Sequence, residues 1–159
     1  MSERVALVAV LQLVLVGVGV APQLAARTTG EEYRLVVRPI DPIDPFRGAY
    51  VTLDYPGLQA PARSRPPSMD DGESGDLYVT LVQKGAVWTS GEYTRTRPEK
   101  GPYLACDDRD WAIRCGIESW FVPQDEAAGL EDALARDGAI ATVKVDDRGR
   151  AAIVALDPR

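Results

Sequence analysis

Histidine is absent from the 159 residues, and with it go the commonest general base and the commonest metal ligand. Cysteine occurs twice, at Cys106 and Cys115, too far apart for the Cys-x-x-Cys half-sites of zinc proteins. Only carboxylates remain to hold a hard cation. Asp70, Asp71, Glu73 and Asp76 form one acidic cluster, and Asp107, Asp108 and Asp110 form another. Neither follows the calcium-loop order of ligands with its central Gly and terminal Glu, so both read as solvated acidic loops. No basic cluster offsets the formal charge of −6. Nucleic acid, which is bound by Lys and Arg neutralising phosphates, is thereby excluded as a partner.

What the chain does have is an apolar run over residues 5–24, broken by few polar residues, Gln12 among them. At a rise of about 1.5 Å per residue it reaches roughly the 30 Å of a bilayer core, which makes it a transmembrane candidate that would contact membrane lipid. A cleaved secretory signal is the rival reading. That reading needs small residues three and one before the cut, whereas Leu24 spoils a site ending at Ala26 and Pro22 would follow a cut after Ala21. The division expected is a membrane anchor over residues 1–26 and one domain over residues 27–159. Sidedness pulls both ways. Arg4 before the run, against Arg27, Arg34 and Arg38 after it, favours a cytoplasmic domain; the short charged N-terminus and the pair of cysteines favour an extracytoplasmic one.

Alternating apolar and polar residues mark strands along the domain. Residues 32–38 alternate Tyr33, Leu35 and Val37 against Arg34, Val36 and Arg38. Residues 50–55 place Val51, Leu53 and Tyr55 on one face and Tyr50, Thr52 and Asp54 on the other. Between them Pro39, Pro42 and Pro45 fix φ and remove N–H donors, so this connector is expected to follow an extended path outside any central strand. Asp41 and Asp44 suit local turns there. Residues 56–75 shift to Pro, Gly, Ser, Arg and Asp and read as a flexible loop. Order resumes in a hairpin of residues 76–82 and 87–93, then a strand over 116–122 ending at Pro123, and a short helix over 125–137. The chain closes on a hairpin around Asp146-Asp147-Arg148-Gly149. About seven short strands and one short helix give a mainly β (α+β) domain, as an open sheet or a partly closed barrel.

Residues 39–55, PIDPIDPFRGAYVTLDY, organise this reading. Gly48, Ala49, Tyr50, Leu53 and Tyr55, preceded by Pro39-Ile40-Asp41-Pro42, resemble the signature of the GDYXXLXY family of bacterial membrane-anchored proteins. Gly116-Ile117-Glu118 with Phe121-Val122-Pro123 resembles the family's second block, and residues 147–156 its C-terminal hairpin, so the resemblance covers nearly the whole chain. Two positions depart: Ala49 stands where the signature has Asp, and Gln124 where an acidic residue follows the second block's Pro. The resemblance implies an exported domain without known enzymatic activity. Relatives are often encoded beside or joined to a multi-pass membrane protein, which implies a membrane partner for this one.

These readings converge on an extracytoplasmic accessory or interaction module, anchored by a single pass in the cytoplasmic membrane and needing no cofactor. Its candidate docking corner comprises Asp41, Asp44, Arg47, Gly48, Tyr50 and Tyr55, close after the span. A second surface comprises Gly116, Glu118, Trp120, Phe121 and Pro123. The structural alternative for the corner has Val51 and Leu53 in the core, Tyr50 and Tyr55 with hydroxyls at the rim, and Arg47 paired with Asp41 or Asp44. Trp88, Trp111 and Trp120 face lipid or a partner, or else join the core. In an oxidising compartment Cys106 and Cys115 are expected to form a disulfide; free buried thiols are the alternative. Two other functions stay open. One is an exported small-ligand or ion-binding domain. The other is a membrane-anchored hydrolase, for which Ser68-Met69 and Arg47-Gly48 faintly resemble serine-lysine signal peptidases, but in the wrong order.

Overall fold

The alternating runs pair into one eight-stranded sheet, in a computed structural model that describes residues 2–41, 50–58, 74–109, 113–121 and 137–159. A helix, α1 (Ser2–Thr29), precedes strands β1 (Glu31–Asp41), β2 (Tyr50–Asp54), β3 (Asp76–Lys84) and β4 (Val87–Thr94). Then follow β5 (Tyr103–Asp107), β6 (Ser119–Phe121), β7 (Ala139–Val145) and β8 (Ala151–Pro158). The strand order is β5-β3-β4-β1-β2-β6, with β7 pairing β1 and carrying β8.

Strand β1 is the hub, because its eleven residues are long enough to serve several partners. It runs antiparallel to β7 from Glu31↔Val145 to Val37↔Ala139, and antiparallel to β2 from Arg38↔Asp54 to Asp41↔Thr52. It also meets β4 in parallel at Leu35↔Trp88. Pro39 and Asp41 lie inside β1, not in a separate connector as expected, and the register to β2 shifts between them. A bulge of this kind accommodates the N–H that proline cannot give.

The inward positions supply the core. Leu35, Val37, Val51, Leu53, Leu77, Val79, Leu104, Ile117 and Val143 are all less than 2% exposed. Each such side chain contributes about 1.5–3 kcal/mol by leaving water. Tyr33 and Trp88 meet edge to face with ring centroids 5.0 Å apart at the rim of this cluster.

Three expectations change. Among the described residues the strands number eight rather than about seven, because residues 103–107 form β5 against β3. Residues 116–118 are not part of a strand, so β6 is shorter than the run expected over 116–122. The sheet is open: among the described residues no ladder joins β5 to β8, although the Ala105 N–H donates to the Gly149 carbonyl at the β7–β8 turn, 2.8 Å away. The helix expected over 125–137 lies outside the described residues except for Asp137, which is helical. Residues 59–73 of the expected flexible loop also lie outside them, but both flanks are fastened. The Gly57 carbonyl accepts from Ser90 N–H at 2.7 Å and Thr89 Oγ1 at 2.6 Å, and Gly75 N–H donates to Asp108 at 2.8 Å.

Helix α1 bends by 46° between residues 5–21 and 23–29. The break falls at a proline, which gives the helical ladder no N–H. Among the described residues no single straight helix is long and apolar enough to cross a membrane, but the two parts together satisfy that test of length and composition. The second part joins the domain without a spacer: Ala26 is fully buried, and Gly30 N–H donates to the Ala26 carbonyl at 3.1 Å just before β1 begins.

Candidate functional site

The alternation of β2 sends Val51 and Leu53 into the core and leaves Thr52 and Asp54 half-buried. Its outer edge is occupied by β6, with Tyr50↔Phe121, Val51↔Trp120 and Thr52↔Ser119 opposite one another. The contact continues past the strands. Leu53 N–H donates to the Glu118 carbonyl at 2.8 Å, and the Tyr55 hydroxyl donates to the Ile117 carbonyl at 2.7 Å. Tyr55 is only 6% exposed, so its hydroxyl is not at the rim and the residue belongs to the core packing between β2 and the segment before β6. Burial, and then the charge of Glu118, push this phenol far above the ordinary tyrosine range, which keeps it a neutral donor.

The Glu118 carboxylate turns back on its own segment, accepting from the N–H groups of Gly116 at 3.0 Å and of Cys115. Cys115 is bonded to Cys106 of β5, with Cα atoms 4.1 Å apart. Next to that bridge Asp107 and Arg114 exchange both backbone hydrogen bonds at 2.8 Å. Residues 114–121 are therefore held at one end by β5 and at the other by β2.

Within this ladder, Trp120 is half-buried against the core and Phe121 is 77% exposed. Asp44, Arg47, Gly48 and Pro123 lie outside the described residues, as do Ala49, Trp111 and Gln124; Asp41 and Tyr50 are placed by their backbones. Asp41 ends β1, Tyr50 begins β2 and Phe121 ends β6, and the antiparallel pairings set all three at one end of the β1–β2–β6 strip. That end is a whole strand away from α1: the ten steps between the eleven residues of β1, at about 3.3 Å each, carry the chain about 33 Å.

The described members of the acidic clusters, Asp76, Asp107 and Asp108, are paired with arginines. Asp108 is buried and receives Arg95 through two 2.9 Å hydrogen bonds, while Arg109 reaches Asp107 at 2.8 Å and Asp76 at 3.4 Å. Asp70, Asp71, Glu73 and Asp110 lie outside the described residues. Among the described residues no group of three or more acids or cysteines is arranged to hold a metal ion. Asp146 is a further buried acid: Arg148 N–H and Arg150 N–H donate to one oxygen at 2.9 Å, and the Arg150 side chain to the other at 2.7 Å. Burial raises its pKa, but the Arg150 hydrogen bonds and charge outweigh that and hold the carboxyl below its ordinary value.

Two cavities flank the root of α1. One, of about 440 Å³, lies between Gln23 and the disulfide, with Tyr78, Arg114 and Arg150 in its wall. The other, of about 350 Å³, lies among Thr29, Tyr33, Tyr103 and Asp146. Neither was legible in the sequence, since its walls come from segments far apart in the chain.

The family described as GDYXXLXY protein matches residues 12–156. The chain belongs to the GDYXXLXY family. No curated protein and no solved structure matches it. Within the family match, the described part of the signature, residues 50–55, lies on β2 and just after it, and the described part of the second block, residues 116–121, is the turn before β6 together with β6 itself. The two motifs are hydrogen-bonded neighbours. Much of what the described part of the GDYXXLXY signature does is thus structural: Leu53 and Tyr55 bind the second block through a backbone N–H and a buried hydroxyl.

Proposed function

We propose that this GDYXXLXY protein is a non-enzymatic interaction module, anchored in the cytoplasmic membrane by α1, whose extracytoplasmic β domain docks a multi-pass membrane protein. The observation that carries the reading is the condition of α1. Its large apolar side chains from Val5 to Val20 are each 51–73% exposed, on all faces of the helix. An apolar rod of that size needs cover, and lipid supplies it on every side. The Cys106–Cys115 bridge supports an oxidising compartment and hence the extracytoplasmic side.

Docking is assigned to the far end of the β1–β2–β6 strip, where the exposed Phe121 ring lies beside the strand ends that flank residues 42–49. Exposed aromatic residues of this kind are frequent anchors of interfaces. Because this end stands about one strand length from the anchor, the partner is expected to present an extramembrane loop or domain rather than its lipid-embedded surface.

The test is purification of tagged full-length protein from its native membrane in mild detergent, with mass spectrometry of what accompanies it. A stoichiometric multi-pass protein that is lost on Phe121→Ala or Arg47→Ala supports the reading. Recovery of the protein alone at native expression refutes it. The 440 Å³ cavity favours one second reading, a domain that also binds a small ligand, and gives it a location.

A further inference from the structure

Among the described residues three strands have a ladder on one side only: β5, β6 and β8. Two of these edges are short or already met. Strand β6 has three residues, and β5 reaches the Gly149 carbonyl through its Ala105 N–H. Strand β8 has eight residues, and no strand lies beyond it among the described residues. Gln23 and Ala151 share a cavity wall, so the root of α1 lies at the start of β8. The later half is the open part: Val154, Ala155 and Leu156 are half-buried, and Asp157 and Pro158 are exposed.

The β7 ladder sets which backbone groups of that half face out. Alternate residues of an antiparallel strand exchange hydrogen bonds with the partner, and those between turn both N–H and C=O to the other side. The Arg159 N–H donates to the Gly138 carbonyl at 3.1 Å, one step beyond Ala139↔Pro158. Counting back, Asp157 and Ala155 bond to β7 opposite Ile140 and Thr142, whereas Pro158 and Leu156 turn outward. Pro158, which has no N–H, forfeits no ladder bond there. The Leu156 side chain packs against the core, which fixes the strand and leaves the N–H and C=O of this residue at the free edge.

A residue with both groups outward is complementary to itself. A two-fold axis beside Leu156 brings it opposite Leu156 of a second copy, each donating to and accepting from the other. In that register Ala155 stands opposite Asp157 of the second copy and Val154 opposite Pro158, so five residues of each strand pair and no two like charges meet. Residues 151–156 carry no charged side chain, in a chain of net charge −6. This edge is therefore where two copies approach with little repulsion, and an uncharged edge of such length is a template for another strand. The register shift opposite Thr142 and Val143 bends β8 near Val154 and confines the pairing to this half.

We propose that the protein forms a two-fold dimer with a second copy of itself, through antiparallel pairing of the β8 edges centred on Leu156. This surface is separate from the docking end at Phe121, and the proposal does not depend on that reading.

The test is the mass of full-length protein in mild detergent, measured by light scattering after size exclusion over a dilution series, with thermal melts of each variant. The wild type is expected as a dimer that dissociates on dilution. Ala155→Asp sets like charges opposite one another at both ends of the pairing and should weaken the dimer at least about tenfold. Ala155→Lys sets a lysine opposite Asp157 and should tighten it. Opposite responses to the two charges at one position cannot come from misfolding. Ala155→Asp combined with Asp157→Lys should recover the dimer, and failure to do so overturns the proposal. A wild type that is monomeric throughout overturns it, as does a dimer that both Ala155 variants weaken alike. A dimer that neither variant changes is held elsewhere, by α1 for instance, and overturns it too.

Discussion

Replacing Tyr55 by Phe removes one oxygen atom from the contact between β2 and the segment before β6. The hydroxyl is buried in a residue 6% exposed and donates to the Ile117 carbonyl at 2.7 Å. Its loss forfeits a hydrogen bond of net value about 1 kcal/mol and strands a carbonyl whose desolvation costs about 1–3 kcal/mol. Partial relaxation brings the sum to about 2–3 kcal/mol. For a domain of this length that lowers Tm by roughly 5–15 °C. Tyr33→Phe is the internal control, because that hydroxyl donates to Glu31 Oε2 at 2.9 Å in a partly open position where water replaces it, at about 0.5 kcal/mol or less. Urea unfolding followed by tryptophan fluorescence measures both, with Trp120 on the affected ladder as reporter, and the slope with denaturant should not change. If Tyr55→Phe is no less stable than Tyr33→Phe, the claim that the signature tyrosine ties the two motifs together is wrong.

Replacing both cysteines by Ser, or reducing the bridge, should cost about 2–3 kcal/mol by freeing the loop between residues 106 and 115 in the unfolded chain, read as a drop in urea midpoint under reductant. Asp146→Asn should cost about 2–3 kcal/mol at neutral pH by removing charged hydrogen bonds from Arg150. Because the folded carboxyl titrates below its unfolded value, the contribution is full above about pH 5 and fades as the pH falls below about 4, so the mutant and wild-type midpoints should converge in acid. Gly149→Ala places a methyl 2.5 Å from the Tyr103 ring and 2.8 Å from the Ala105 nitrogen at a φ of +77°, for about 2–4 kcal/mol. Gly85→Ala, at a φ of +64° but with nothing within 4 Å, should cost only about 1 kcal/mol, and thermal melts of the two distinguish crowding from backbone strain.

Seven of the eight strands are legible in the chain because alternation is a local property: side chains two apart share a face whatever the strand later meets. The two hairpins are legible for the same reason, their turns being encoded within a few residues around Gly85 and Gly149. Strand β5 escaped because Tyr103 and Leu104 are both buried, which breaks the alternation. Tyr103 is covered by the distant β7–β8 turn, where its hydroxyl meets the Asp147 carbonyl at 3.0 Å. The Arg95–Asp108 pair has no regular spacing to announce it.

The sequence alone thus determined the apolar helix, the mainly β character, the inward set Val51, Leu53 and Tyr55, and the family. Only the tertiary structure decided that β6 lies against β2, that Tyr55 reaches a carbonyl 62 residues away, and that the end of β1 at Asp41 stands a strand length from α1. The physical reason is that periodicity and turn chemistry act over a few neighbouring residues. Which strand edges meet, and which charges share a cavity, depends on how the whole sheet buries its core.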